Sequence, residues 1–184
     1  LLTVEYPHFQ EFMPSLKGAP ITTFHGFCLG LIQQYGLFID QTPYFSVFSD
    51  DEQQYTFREA IRSMVQHESA LYSEQLTFYL THHSEQRLIM DLTQCFRKRQ
   101  VVQSYDNMFL KKCTPLTEVV WSLFKKTLDV YHNLKAEKLA LDYDDLIEIT
   151  QRLLDHQDVQ YAVQSQYKHV MIDEIQILFN GILS

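Results

Sequence analysis

The chain is short of the two residues that break helices, with 5 glycines and 5 prolines in 184 residues. Few tight turns can be built from so few, and the many Leu, Gln, Glu and Tyr residues point to a mostly α protein. Cysteine is as sparse. Cys28, Cys95 and Cys113 are odd in number, far apart and without C-x-x-C spacing, so neither a disulfide framework nor a zinc site is expected, and a reducing compartment is. No apolar run approaches the ~20 residues of a membrane span, and no secretory leader is recognisable; a cytoplasmic protein without membrane contact is expected. A basic surplus is missing too. With 15 Lys and Arg against 23 Asp and Glu the net charge is -8, which argues against holding nucleic acid by a broad basic surface, since such affinity comes from neutralising phosphates. Any contact of that kind must be local. No G-x-x-x-x-G-K-[ST] occurs either, so the backbone cradle and lysine that hold β- and γ-phosphates are lacking. The chain starts at Leu1 without Met, and a fragment of a longer protein is expected.

A composition 46% hydrophobic over this length supports one core, and a chain of this size buries about 70% of its unfolded surface. Pro7, Pro14, Gly18 and Pro20 punctuate a lead-in. Phe24, Phe27, Cys28, Leu31 and Ile32 recur at helical spacing and predict a helix over 24–35, with Gly36 as its C′ residue. Residues 43–48 read as extended. Ser49 and Glu52 form a capping box that opens a helix with Phe57, Ala60, Ile61, Met64 and Val65 inward, ending near Gln66. Leu71, Tyr72, Leu76, Tyr79 and Leu80 predict a shorter helix, and Ser84 caps another whose last turn holds Arg97, Lys98 and Arg99. That cluster is the one concentrated basic patch; it fits both compensation of the helix dipole and contact with phosphate. After an irregular 101–112, Thr114 and Pro115 start a long helix reaching Lys138, with Leu123, Phe124 and Tyr131 on its stripe. Leu146, Ile149, Leu153 and Leu154 mark the next helix, and 159–166 a short one.

At the far end His169-Val-Met-Ile-Asp-Glu-Ile-Gln176 runs from apolar residues straight into two carboxylates. A fully covered parallel strand reads this way. Asp173 and Glu174 would then stand at the carboxyl edge, where open α/β sheets bind ligands and where Mg²⁺ finds oxygen donors, as in a Walker B motif. A buried strand entering an acidic surface turn fits the same residues. Asp142, Asp144 and Asp145 are spaced like part of a calcium loop but lack its glycine and closing glutamate, so they read as N-terminal caps of a helix. His82 and His83 lack an E-x-x-H partner and read as a solvated turn.

Taken together, Ile21-Thr-Thr-Phe-His-Gly-Phe-Cys28, Leu141-Asp-Tyr-Asp-Asp-Leu-Ile147 and the Asp173-Glu174 strand resemble the UvrD/Rep family of superfamily 1 DNA helicases. That family carries T-F-H-S-F-C, D-F-D-D-L-L and V-D-E-F-Q-D-T elements in this order, and its RecB and AddA nuclease-helicase branch has T-I-H-G-F-C variants. The resemblance runs from about Ile21 to Gln176 and is specific at its two ends. It implies a helical bundle, the 1B-like insertion of the helicase, with a short C-terminal strand from an incomplete RecA-like α/β domain called 1A. The divisions it implies are 1–26 as lead-in and 1A remnant, 27–168 as the 1B-like subdomain and 169–184 as the Walker B remnant.

By the same resemblance, Thr23 and His25 lie beside single-stranded DNA, where a hydroxyl and an imidazole can bond phosphate oxygens, with Arg97, Lys98 and Arg99 as further DNA-binding candidates. Asp173 holds Mg²⁺ in the complete enzyme, Glu174 activates the attacking water and Gln176 couples the γ-phosphate to DNA. The family's Q-D-T is not followed here, where Gln176 is succeeded by Ile177 and Leu178, which leaves the coupling role open. ATP and Mg²⁺ are thus cofactors of the complete enzyme, and the chain alone is expected to bind neither and to hydrolyse no ATP. Its expected partners are single-stranded or junction DNA, the remaining helicase domains and, in the nuclease branch, a nuclease domain or subunit. A helical protein-interaction module without nucleotide chemistry is the competing reading.

Overall fold

The computed structural model describes residues 20–71, 73–99, 114–167 and Val170. The expected lead-in, the irregular 101–112 and the expected Walker B strand with Asp173, Glu174 and Gln176 lie outside the described residues. What is described is mostly helical, with one two-stranded parallel sheet.

Helix α1 (Phe24–Tyr35) starts where Thr23 turns extended and its Oγ1 accepts the Gly26 N–H at 3.1 Å, so a hydroxyl satisfies one of the free donors of the first turn. The expected left-handed glycine at its end is not found. Gly36 has φ -52 and leads into a 3-10 helix, Gly36–Ile39, and the left-handed residue is Asp40 at φ 57. Glycine suits position 36 for a different reason: a Cβ there would sit 3.0 Å from the Gln41 carbonyl oxygen.

Strand β1 (Ser46–Val47) precedes α2 (Asp50–Ala70), whose capping box is complete. The Ser49 N–H donates to Glu52 Oε2 at 2.8 Å and the Glu52 N–H to Ser49 Oγ at 3.3 Å. The helix runs past Gln66 because a distant cation supports its last turn: Lys126 donates to the buried Glu68. Helix α3 (Glu74–His82) buries Leu76 and Tyr79. The expected inward positions of Leu71 and Leu80 are corrected, since both are exposed. Leu71 is the C-cap of α2 rather than a member of α3, so the apolar stripe inferred across both belonged to no single helix.

Helix α4 (Glu85–Arg97) is capped by Ser84, which accepts the Arg87 N–H at 3.2 Å. Helix α5 (Pro115–Glu137) starts with Thr114 as cap and proline in its first turn. It ends in strand β2 (Ala140–Leu141), which pairs parallel with β1 in the register Ser46↔Ala140 and Val47↔Leu141. The extended 43–48 stretch therefore has a partner that its own residues do not announce. Helices α6 (Tyr143–Leu154) and α7 (Gln157–Gln166) follow.

Two apolar clusters hold these elements. The larger joins α2, α3, α4 and α5 around Phe57, which stacks on Phe96 at 4.0 Å and meets Phe124 and Tyr131 edge-on. Leu123, at its centre, has no exposed surface, and burying such a side chain contributes about 1.5–3 kcal/mol. The smaller cluster joins α1 to α6 and α7 through Cys28, Ile32, Leu146, Leu153 and Val159. Helix α1 thus shares its core with the last two helices and not with the four-helix body.

Candidate nucleic-acid interface

Every described α-helix except α1 carries an acid in its first turn. Those carboxylates answer the positive end of each helix dipole; at α1 the free N–H groups and the dipole are left to attract an outside anion. Thr23 at that end is exposed, and the half-buried His25 lies one step inside it. The His25 ring is 4.6 Å from that of Tyr143, the first residue of α6, and 6.2 Å from that of the exposed Phe24. Two helix N-termini, far apart in sequence, therefore meet at one aromatic contact.

The second of these termini is strongly acidic, yet its charges are answered from within. Asp142 caps α6 by accepting the Asp145 N–H at 3.0 Å, and Asp145 returns the bond by accepting the Asp142 N–H at 2.8 Å. The Asp142 carboxylate is only 2% exposed; it accepts from Tyr131 at 2.9 Å and Lys135 at 3.0 Å, while Lys135 also donates to Asp145 at 2.6 Å. Burial pushes the Asp142 carboxyl upward, but the Lys135 charge and the donors from Asp145, Lys135 and Tyr131 outweigh it and hold the group below the usual carboxylate range. Asp145 goes the other way, raised by burial and by the neighbouring Asp142 charge. Of the three acids read from the sequence as caps, Asp142 and Asp145 form the capping box, while Asp144 stands in the first turn and pairs with Arg99.

Arg99 joins these acids from just beyond the end of α4. Its Nε lies 2.5 Å from Asp144 and its Nη2 3.9 Å from Asp142. The same guanidinium donates to the Phe96 carbonyl at 3.1 Å and to Gln53 Oε1 at 3.2 Å, and lies over the Phe96 ring at 4.1 Å. Of the three basic residues singled out as DNA candidates, Arg97 and Lys98 face solvent, whereas Arg99 is turned into the protein. The structure thus brings His25 and Arg99 to the start of α6, through Tyr143 and through Asp142 and Asp144. Lys135, Tyr131, Tyr143 and Gln53 were not anticipated there. The signal for Lys135 was a lysine four residues after Tyr131 on an otherwise core-facing helix stripe.

No group among the described residues could hold a metal ion, and His82 bonds the Phe78 carbonyl of its own helix at 2.9 Å. Tyr167, the C-cap of α7, packs its ring on Phe27 of α1 at 5.5 Å. No helix among the described residues is long and apolar enough to cross a membrane. A family model described as the UvrD/REP helicase N-terminal domain matches residues 6–178. No curated protein and no solved structure gives a significant match.

Proposed function

The chain belongs to the UvrD/REP helicase N-terminal domain family, and from that premise we propose that it serves an ATP-driven DNA helicase, contributing local contacts to single-stranded or junction DNA from the α1 terminus. What supports this reading most is the contact of His25, beside Thr23 at the one described α-helix start without an acid, with the start of α6, whose acids are ion-paired from within. A phosphate can take the free N–H groups of α1 and the imidazole of His25 without reading a base, which suits an enzyme that moves along DNA. Arg97 and Lys98 are the proposed outlying phosphate contacts. Asp173, Glu174 and Gln176 are proposed for the nucleotide step by family resemblance: Asp173 holds Mg²⁺ in the complete enzyme, where ATP supplies the driving force, and Glu174 takes the proton of the attacking water. The remaining helicase domains supply the phosphate cradle and most of the contacts to DNA, in repair or recombination.

The test is a salt titration of single-stranded DNA binding by the full chain. Binding should be weak and steeply lost with salt. His25→Ala, or the paired change of Arg97 and Lys98 to Ala, should weaken it equally on every sequence, and the salt slope should fall by about 1 for every phosphate no longer neutralised. Tight, salt-insensitive binding to one particular sequence contradicts the proposal, as does unchanged binding by both variants.

A further inference from the structure

Arg99 stands at a junction of three helices. It reaches Gln53 of α2 and the Phe96 carbonyl at the end of α4, and its Nε meets Asp144 in the first turn of α6, the residue after Tyr143. A planar guanidinium with five donors in a fixed fork can serve three partners at set angles, which a single ammonium cannot. Gln53, its partner on α2, is itself buried, so the guanidinium is held from the four-helix body while it holds the start of α6. The element it holds carries the ring against which His25 is set. We propose that Arg99 is a positioning residue: it ties the start of α6 to the helical body and so sets the His25–Tyr143 contact on which the grip on single-stranded DNA depends.

This deepens the DNA-contact reading and rests on it. An arginine that touched phosphate itself would act independently of His25 and carry its own share of the salt dependence. A positioning arginine acts through His25 and adds nothing once His25 is gone. The geometry also has a readout that needs no DNA, because the Tyr143 ring current displaces the His25 imidazole resonances at this separation.

The experiment compares Arg99→Met, Arg99→Lys, His25→Ala and the double variants in the full chain, by imidazole proton shifts and by affinity for an unstructured single strand. Tyr143→Leu provides the shift of an imidazole without the ring. In both Arg99 variants the His25 resonances should move toward that reference. Affinity should fall roughly tenfold, as for the loss of a bond to a charged group, with no further fall or change of salt slope when His25→Ala is added. Arg99→Lys keeps the charge and decides the matter if Arg99→Met fails to fold. Unmoved His25 resonances, wild-type binding by Arg99→Lys, or losses that add to those of His25→Ala overturn the proposal. Binding that is indifferent to His25→Ala while the resonances still move overturns the DNA-contact reading instead, and the coupling to DNA with it, and leaves Arg99 as an organiser of the aromatic contact only.

Discussion

Tyr131 of α5 donates its hydroxyl hydrogen to Asp142, the cap of α6, at 2.9 Å, and this bond joins the two apolar clusters. Tyr131 belongs to the core of the four-helix body and Asp142 opens a helix of the smaller cluster. Burial and the Asp142 charge push the Tyr131 hydroxyl above its ordinary range, which favours the protonated, donating form. Tyr131→Phe keeps the ring and removes the donor, leaving a buried carboxylate one bond short. It should cost about 1–3 kcal/mol in denaturant unfolding; a variant as stable as the parent would mean that Lys135 and the Asp145 N–H suffice.

The Asp142 carboxyl gives a signed pH dependence. Its folded pKa is below the unfolded value, so its stabilising contribution is complete above about pH 4 and is lost as pH falls through the folded value. Asp145 is shifted upward, so it takes up a proton first on acidification and relieves the repulsion between the pair before that loss begins. The stability gap between the parent and Asp142→Asn should therefore be wide at neutral pH and narrow below about pH 4. Urea midpoints measured across that range check it, and a gap that stays constant refutes it.

Leu139 lies at φ 47, in the left-handed region, between the end of α5 and β2. Its side chain is 62% exposed, so replacing it sacrifices little packing. A left-handed residue with a Cβ costs about 1–2 kcal/mol, while glycine raises the entropy of the unfolded chain by about 0.5–1 kcal/mol. Leu139→Gly should thus stabilise the protein by about 0.5–1 kcal/mol, and Leu139→Ala should not. The melting temperatures of the pair decide between conformational strain and some unrecognised packing of the leucine.

For the proposed complete enzyme, Glu174→Gln should retain ATP binding, because the side chain is nearly isosteric, and lower DNA-stimulated phosphate release about 10²–10⁴-fold by removing the proposed general base. The chain by itself, without the phosphate cradle, should release none. Turnover by the isolated chain, or an unaffected Glu174→Gln enzyme, would show that Asp173 and Glu174 serve another purpose.

The caps at Ser49, Ser84 and Asp142 and the proline start at Pro115 were legible because each involves residues within one turn of helix. The stripe of Phe57, Ile61 and Met64 was legible from its period alone. Leu71 and Leu80 were misplaced because a stripe drawn across a helix break has the right composition and the wrong phase. Gly36 was read as a conformational signal when close approach to Gln41 is the constraint.

The sequence by itself determined the helical class, most helix starts and the family, since these rest on local bonds, on periodicity and on motifs written in consecutive residues. Only the tertiary structure decided that Arg99 turns inward while Arg97 and Lys98 do not, that Lys135 is buried, that Ser46 pairs with Ala140 and that His25 rests on Tyr143. The physical reason is the same for each. A charge or a strand edge takes its partner from whatever packing brings within a few ångströms, and here packing joins α1 to α6 across the intervening helices α2 to α5, whose own residues name neither.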